Sequence, residues 1–477
     1  MPIENVVALF ERSSSTLHFD DGTSFTATEL VDDGRRLATY LRVEGLESGD
    51  RIAIHRHNDA DYVRLLLACA AGGYLAVSVN TRYSPGEVDD LIARSGARRF
   101  AGGAWHGHAP AGDLGGADDP FVVFTTSGTT SRPKMVLHAQ RSIAEHAADA
   151  AAMFGYSATD TVLAVMPFCG TFGLASLTAA VAGDCVVVVT NFDVARTADL
   201  IARHAVTAVN GSDDMFHRLL EHGAELGSIR LGGYARFNSS LDDVVARAES
   251  AGATLTGLYG MSEVQALFSL RDPTLDAGGR RRAGGTMVSP RAAYRVVDGE
   301  LQLRGPSLML GYLAEGGALV DEALTAEHLA DGWFRTGDLA VEEDDRTFEY
   351  LTRGGDAMRL GGFLVSPTEI EAVITDLPGV SQAQVVSVDR PGGARPIAFV
   401  IGDVEESTVI ARCRDRLARH KVPVRVVRVE EFPTTPSANG TKIQRGRLRE
   451  LAERILAGEP SAPGTSPHST ESGPSVP

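Results

Sequence analysis

The chain has 477 residues, a formal net charge of −17, 43% hydrophobic residues and 22% charged residues. That length predicts roughly two to four domains, and the composition is that of a globular protein, which excludes a fibrous or largely disordered chain. The acidic balance argues against nucleic acid as a partner, since phosphate backbones would be repelled. The compact basic run Arg280–Arg282 sits among glycines and reads as a solvated loop.

The N-terminal segment lacks the basic start and apolar core of a secretion signal. No apolar run approaches the roughly 20 residues that span a bilayer. Cys69, Cys169, Cys185 and Cys413 are scattered without metal-ligand spacing, so buried reduced thiols are expected. These features together predict a cytoplasmic protein with no membrane span.

In chain order, RIAIH from Arg51 reads as a strand. DADYVRLLLACAAGG from Asp59 reads as a helix ended by glycine, and YLAVSVN from Tyr74 as a second strand. FVVF, CVVVVT, VTAVN and TLTGLYG follow, separated by helical or loop sequence. Such continuous β-branched runs suit strands buried on both faces, as in parallel sheets covered by helices. AYRVVDGELQLRG alternates like an antiparallel hairpin turning at Asp298-Gly299. Beyond Gly354 and Gly355 the texture changes to helix, two strands, helix, strand, the first helix entered through a Ser366 cap and Pro367. The fold class is therefore α/β. A large N-terminal domain (1–354) holds parallel-rich sheets covered by helices plus a β-rich subdomain. A small α+β C-terminal domain (355–455) follows, and a Pro/Ser/Gly-rich tail (456–477) is expected to be disordered.

The stretch TTSGTTSRPK, Thr125–Lys134, follows the run FVVF and precedes a helix expected to begin near His138. Backbone amides, hydroxyls and one lysine there offer donors and positive charge to oxyanions. It is not the Walker loop, because Pro133 precedes the lysine and no Gly-Lys-Ser/Thr closes it. A capped helix entry would account for the same residues.

Six ordered segments remove that ambiguity: FTTSGTTSRPKMV, LYGMSE, LRGPSLMLGY, WFRTGDLA, LTRGGDAMRLGGFLVSPTEIE and TPSANGTKIQRGRLRE. In this order and at these separations the chain resembles the adenylate-forming superfamily of acyl-CoA synthetases, peptide-synthetase adenylation domains and luciferases. The resemblance implies ATP-dependent conversion of a carboxylic acid to acyl-AMP and pyrophosphate, then transfer to the thiol of CoA. The alternative it allows is an enzyme that loads an acyl carrier protein or hands its adenylate to a partner. A nucleotide-binding pseudoenzyme is a third reading, disfavoured by the retained polar residues. A homodimer is compatible with all three.

The resemblance also assigns residues. Thr125, Thr126, Ser127, Gly128, Thr129, Thr130 and Lys134 would cradle the β- and γ-phosphates. Glu263 would bind Mg2+, and Ser262 would touch the α-phosphate. Tyr259 would pack on adenine beside Gly260, with Gly233, Tyr234 and Ala235 as the adenine rim. Asp338 would hold the ribose hydroxyls, joined by Arg353. Lys442, from the small mobile domain, would act on carboxylate and α-phosphate. Asp356 would be the hinge, and Gly361 and Gly362 would admit the pantetheine thiol.

The acyl pocket would draw on Phe168, Gly170, Phe172, Gly232 and Met261. No lysine or arginine awaits a second charge there, and no aspartate stands clearly in the amino-group position, Asp213 and Asp214 being the candidates, so an uncharged hydrophobic acid is favoured over an amino acid. Three departures stand out. Ser131 and Met135 replace family glycines, and Gly170 replaces an aromatic or histidine gate, which tilts the expectation toward a bulky acid. The stretch between Ser95 and Asp119 is short for the family.

Overall fold

The computed structural model describes residues 4–457 except 101, 111, 127–132, 239, 240, 242, 317, 361, 362, 391, 392, 438 and 439; for 363, 364, 435–437 and 440–442 it describes the backbone alone. Ser127, Gly128, Thr129, Thr130 and Ser131 of the phosphate loop, with Gly361 and Gly362, therefore lie outside the described residues. The helix Arg445–Ala457 runs into the start of the segment expected to be disordered, and 458–477 lie outside the described residues. Among the described residues no helix is long and apolar enough to cross a membrane.

Two compact units divide the chain. The larger comprises residues up to Phe237, Asp243–Tyr350 and Pro436–Thr441. The smaller comprises Asn238–Asp242, Leu351–Thr435 and the chain from Lys442.

In the larger unit the β-branched runs become strands Thr161–Ala164, Val186–Val189, Ala208–Ser212 and Leu231–Ala235, paired in parallel and joined by Leu255–Met261. At Leu255–Met261 the direction changes: Gln265–Leu270 and Gly284–Met287 continue the same fourteen-stranded sheet antiparallel. The hairpin Ala293–Val297 with Glu300–Arg304 turns at Asp298 (φ 52°) and Gly299 (φ 84°), the double left-handed turn that Asp-Gly favours. A second sheet of six strands runs from Gly311–Tyr312 through Met135–Ala139, Pro120–Thr125, Leu75–Ser78 and Arg51–Ile54 to Arg98–Arg99. The helix Thr171–Ala182 carries only small and apolar side chains and is buried from Thr171 to Val181, as expected for a helix without a polar face. Capping boxes start the helices Ala27–Val43 (Thr26, Glu29) and Pro85–Ser95 (Ser84, Glu87).

Three expectations are corrected. MVLHA is a strand, fully buried and antiparallel to Pro120–Thr125, so the Thr125–Lys134 stretch joins a hairpin; the helix starts at Gln140 instead of near His138. Arg280 is not solvated: its side chain is buried, with Nη1 donating to the Leu255 carbonyl at 3.3 Å and Nη2 to Glu249 at 2.5 Å. Ser366 precedes the helix Pro367–Thr375 but makes no capping hydrogen bond, its hydroxyl pairing instead with Thr368 at 2.7 Å.

The smaller unit has the helix Pro367–Thr375, the antiparallel pair Val380–Val388 and Arg395–Gly402, the helix Glu406–Arg416, and Arg425–Arg428 parallel to Arg395–Gly402. Buried Glu371 anchors it, accepting from Arg445 at 2.5 Å and from the Val385 amide at 2.8 Å. The four cysteines are free and buried.

Candidate active site

The larger unit places several of its candidate site residues where its sheet changes from parallel to antiparallel. The connection between Leu255–Met261 and Gln265–Leu270 carries Ser262 and Glu263, and the pairing shifts register between Tyr259 and Met261. Gly260 is required there: a Cβ would come within 2.6 Å of the Ala266 Cα. Gln265 (φ 64°) and Leu267 (φ 63°) adopt the left-handed region without being glycine. Such strain costs on the order of 1–3 kcal/mol per residue and persists only where surroundings overdetermine it.

The surroundings do so. His138 Nε2 donates to the Ser262 carbonyl (2.7 Å) and His146 Nε2 to the Ala266 carbonyl (2.6 Å), while Gln265 Nε2 donates to the Ser142 carbonyl (2.8 Å). Burial lowers both imidazoles to about 4, so each is neutral near pH 7.

Glu263 is buried, and its Oε1 accepts from the Tyr312 hydroxyl at 3.1 Å. Tyr312 reaches it because Gly311–Tyr312 pairs with Met135–Ala139, the strand that follows Lys134. That pairing also sets the Tyr312 ring 4.9 Å from Lys134 Nζ. The hairpin base closes with Thr126 N to the Lys134 carbonyl (3.0 Å) and Lys134 N to Thr126 Oγ1 (3.2 Å). Thr125 Oγ1 accepts from the Tyr83 hydroxyl at 3.0 Å. A lysine and a carboxylate thus meet at Tyr312, next to a hairpin base that carries two hydroxyls.

On the antiparallel side, buried Asp338 accepts at Oδ2 from the Tyr259 hydroxyl, 2.7 Å away. Its amide donates to Thr336 Oγ1 at 3.0 Å, and Thr336 donates to the Leu301 carbonyl at 2.7 Å. The Tyr259 ring lies edge-on to Phe348 and tilted against Tyr350, with centroids 5.3 and 5.6 Å away.

Gly233, Tyr234 and Ala235 form the end of a buried parallel strand. Asn210 Oδ1 accepts from the Gly233 amide at 3.1 Å and would lie 2.2 Å from any Cβ there. Gly232 opens onto packed core, where a Cβ would meet Leu255 Cδ2 at 2.4 Å. Phe168 and Phe172 are buried; Phe168 packs edge-on to Tyr62, and its amide and carbonyl are bound by Asn58 and Tyr62 at 2.8 Å each. Gly170 is half-buried at the start of Thr171–Ala182, and Met261 is half-buried beside the Tyr259 hydroxyl. Asp213, a candidate partner for an amino group, is already engaged: it accepts the Phe237 amide at 2.7 Å and the Asp214 amide at 2.9 Å.

Arg353, Asp356 and Lys442 belong to the smaller unit. Arg353 is exposed, and its carbonyl accepts the amides of Asp356 and Ala357 at 3.0 Å each, closing a turn at the expected hinge. Lys442 lies in the strand Gly440–Ile443, and its side chain is outside what the structure describes. Sequence reasoning assigned no role to Tyr312, although it quoted the segment containing it, named His138 only as an expected helix start, and missed His328 and His146.

Comparison with known proteins gives a consistent picture. The model of the family described as AMP-binding enzyme matches residues 5–113 and 102–313, and that of the AMP-binding enzyme C-terminal domain matches 369–439. A methyl-dioxo-octahydro-indenyl-propanoyl:CoA ligase of Mycobacterium tuberculosis is 30% identical, over 90% of this chain and 94% of that one. A feruloyl-CoA synthase of Amycolatopsis is 28% identical, over 90% and 94%. Among solved structures, ATP-bound MatB from Rhodopseudomonas palustris superposes with a TM-score of 0.81 at 24% identity, over 95% of this chain and 100% of that one. The o-succinylbenzoate coenzyme A synthetase of Bacillus subtilis with AMP gives 0.79 at 23%, over 94% and 98%.

Proposed function

Because this chain belongs to the AMP-binding enzyme family, in the adenylate-forming superfamily of acyl-CoA synthetases, we infer that it is an AMP-forming acid–thiol ligase. It acts in two steps. A carboxylate oxygen attacks the α-phosphorus of ATP, the bond to pyrophosphate breaks, and acyl-AMP forms. The thiol sulfur of CoA then attacks the acyl carbon, its proton leaves to solvent, and AMP departs. The observation that carries this reading is the single tyrosine, Tyr312, that brings the phosphate-hairpin lysine and the buried Glu263 together.

Two anions must meet in the first step, and negative charge grows on the phosphate oxygens, so preorganised cations and donors dominate catalysis. Lys134 and the hydroxyls of Thr125 and Thr126 are our candidates for the β- and γ-phosphates. Asp338, oriented by Tyr259 and by its own amide, is the acceptor for the ribose hydroxyls. Glu263, a hard oxygen donor whose Oε1 is oriented by Tyr312, suits Mg2+, whose other ligands would be phosphate oxygens and water. When bound, Mg2+ would offset charge on the phosphates. Lys442 is our candidate for the residue acting on the reacting carboxylate and α-phosphate, with the turn at Asp356 as hinge.

The acid is proposed to be bulky, hydrophobic and uncharged beyond its reacting carboxylate. Asp213 is spent on two backbone amides, which leaves it unsuited to an amino group, and the two relatives act, by name, on a bicyclic propanoate and on a ferulate. A cytoplasmic location is supported by the four free, buried thiols.

The test is acid-dependent pyrophosphate release across a panel of carboxylic acids, with and without CoA. Release with bulky ring acids, followed by acyl-CoA, is expected. Acyl-AMP that never becomes acyl-CoA would point to a carrier-protein or partner acceptor. No release with any acid would end the enzymatic reading. Lys442→Ala should abolish adenylation while sparing thiolation of a supplied acyl-adenylate; equal loss of both would remove Lys442 from the first step.

A further inference from the structure

Lys134 is the cation at the base of the phosphate hairpin, and its ammonium does not simply project into solvent. Nζ lies 2.7 Å from His328 Nε2 and 4.9 Å from the centre of the Tyr312 ring. An ammonium can only donate, so Nε2 must be the unprotonated nitrogen of a neutral imidazole. The rest of the imidazole's surroundings enforce that state. Burial and the nearby Lys134 charge hold His328 below its ordinary value, against the pull of Glu327 and a hydrogen bond to the Arg335 backbone. The ring is wedged edge-on to Tyr312 (5.8 Å) and stacked on Phe334 (6.2 Å). The short helix carrying His328, Glu322–His328, is tied to the tyrosine's strand by the Tyr312 amide donating to Thr325 Oγ1 at 3.0 Å.

We propose that His328 is a positioning residue for Lys134: it accepts one ammonium N–H and leaves the other two for the phosphate tail of ATP. This rests on the reading of the hairpin as an ATP phosphate site. A lysine side chain is rich in rotamers, and a free Lys134 would lose that freedom each time it met a phosphate. Held by a neutral imidazole over an aromatic face, much of that loss precedes binding. Protonation of His328 reverses the arrangement. The acceptor is lost and two cations face each other. Because the folded imidazole is held below the usual 6.5, the neutral, binding-competent form persists at and above that pH and is lost on acidification.

The test uses the full chain and Mg·ATP binding by calorimetry, which needs no knowledge of the acid. His328→Ala should weaken ATP about tenfold, the worth of one charge-assisted hydrogen bond. His328→Gln, whose amide oxygen can accept from Lys134, should recover most of the affinity. The ratio of wild-type to His328→Gln affinity should fall as pH drops below 6.5; taking the ratio cancels the titration of ATP itself. Equal weakening by Ala and Gln, or a ratio independent of pH, would overturn the positioning role. Should His328→Ala not fold, the pH ratio alone decides. A wild type that binds no ATP would overturn the phosphate-site reading as well; a wild type that binds, with variants unaffected, would overturn only the role of His328.

Discussion

The turn that carries Glu263 and the hairpin base that carries Lys134 bring opposite charges to one tyrosine by different means. The turn is fixed through its backbone. Buried imidazoles hold the carbonyls of Ser262 and Ala266, Gln265 reaches the Ser142 carbonyl, and the Met309 amide holds the Glu263 carbonyl at 2.8 Å. These bonds balance the strain at Gln265 and Leu267. The lysine is instead fixed at the tip of a long side chain by a half-buried imidazole. In its proposed role at a metal, a carboxylate gains from an immovable backbone, since misplacement is costly in the transition state. In its proposed role at a triphosphate, a lysine gains from being ordered at its tip before the nucleotide arrives.

The strongest way to break this comparison is to remove the charge from the rigid side and keep its shape. Glu263→Gln preserves volume and an oxygen for Tyr312. It should lower the rate of acid-dependent pyrophosphate exchange by roughly 10²–10³-fold, the scale of one lost electrostatic stabiliser, with the unfolding midpoint unmoved. Retained activity with a lowered midpoint would make Glu263 structural and leave the turn without a chemical role.

Acid should separate the two regions next. His138 and His146 are neutral in the fold at about 4 and ordinary when unfolded, near 6.5. Their stabilisation is therefore complete above pH 6.5 and is lost as pH falls toward 4, because the unfolded chain binds the protons first. Each should remove about 1.4 kcal/mol of unfolding free energy per pH unit across that window. Denaturant unfolding at stepped pH should show the slope, and His146→Asn should reduce it by one proton. Protonating His328 should cost ATP affinity and little global stability. A slope unchanged by His146→Asn would mean that the buttress is not what acid attacks.

Much of the framework was legible because it rests on local signals. Continuous β-branched runs gave the parallel strands, and Asp298-Gly299 gave its hairpin. MVLHA was not legible: a fully buried five-residue strand has no alternation, and it sits directly before a helix, so the run reads as either. Arg280 misled because a charge run normally stays in water, whereas this arginine finds a carbonyl and a carboxylate inside. The ordered motifs supplied Lys134, Glu263 and Asp338 as candidates for the site. Its tuning was not. His328 lies 194 residues from Lys134, in a segment whose sequence says only that a short helix follows Asp321. No periodicity announces a contact of that separation; it exists because pairing within the six-stranded sheet brings Tyr312 alongside the hairpin and Thr325 ties the His328 helix to Tyr312.

Tyr312 joins the two regions, and removing one oxygen from it tests whether they are separable. Tyr312→Phe keeps the ring beneath Lys134 and against His328, and deletes the hydroxyl that donates to Glu263 Oε1. The carboxylate loses an orienting partner of the kind whose removal typically costs 10–100-fold in metal affinity, so the Mg2+ concentration for half-maximal pyrophosphate exchange should rise by about tenfold. ATP affinity at saturating Mg2+ should stay within about twofold, because the lysine's aromatic face and its imidazole remain and ring contacts of this kind are worth only about 0.5–1 kcal/mol when exposed. If ATP affinity fell in step with the Mg2+ requirement, the hydroxyl would be setting the lysine as well as the carboxylate, and the rigid turn and the adjustable hairpin would be a single mechanical unit.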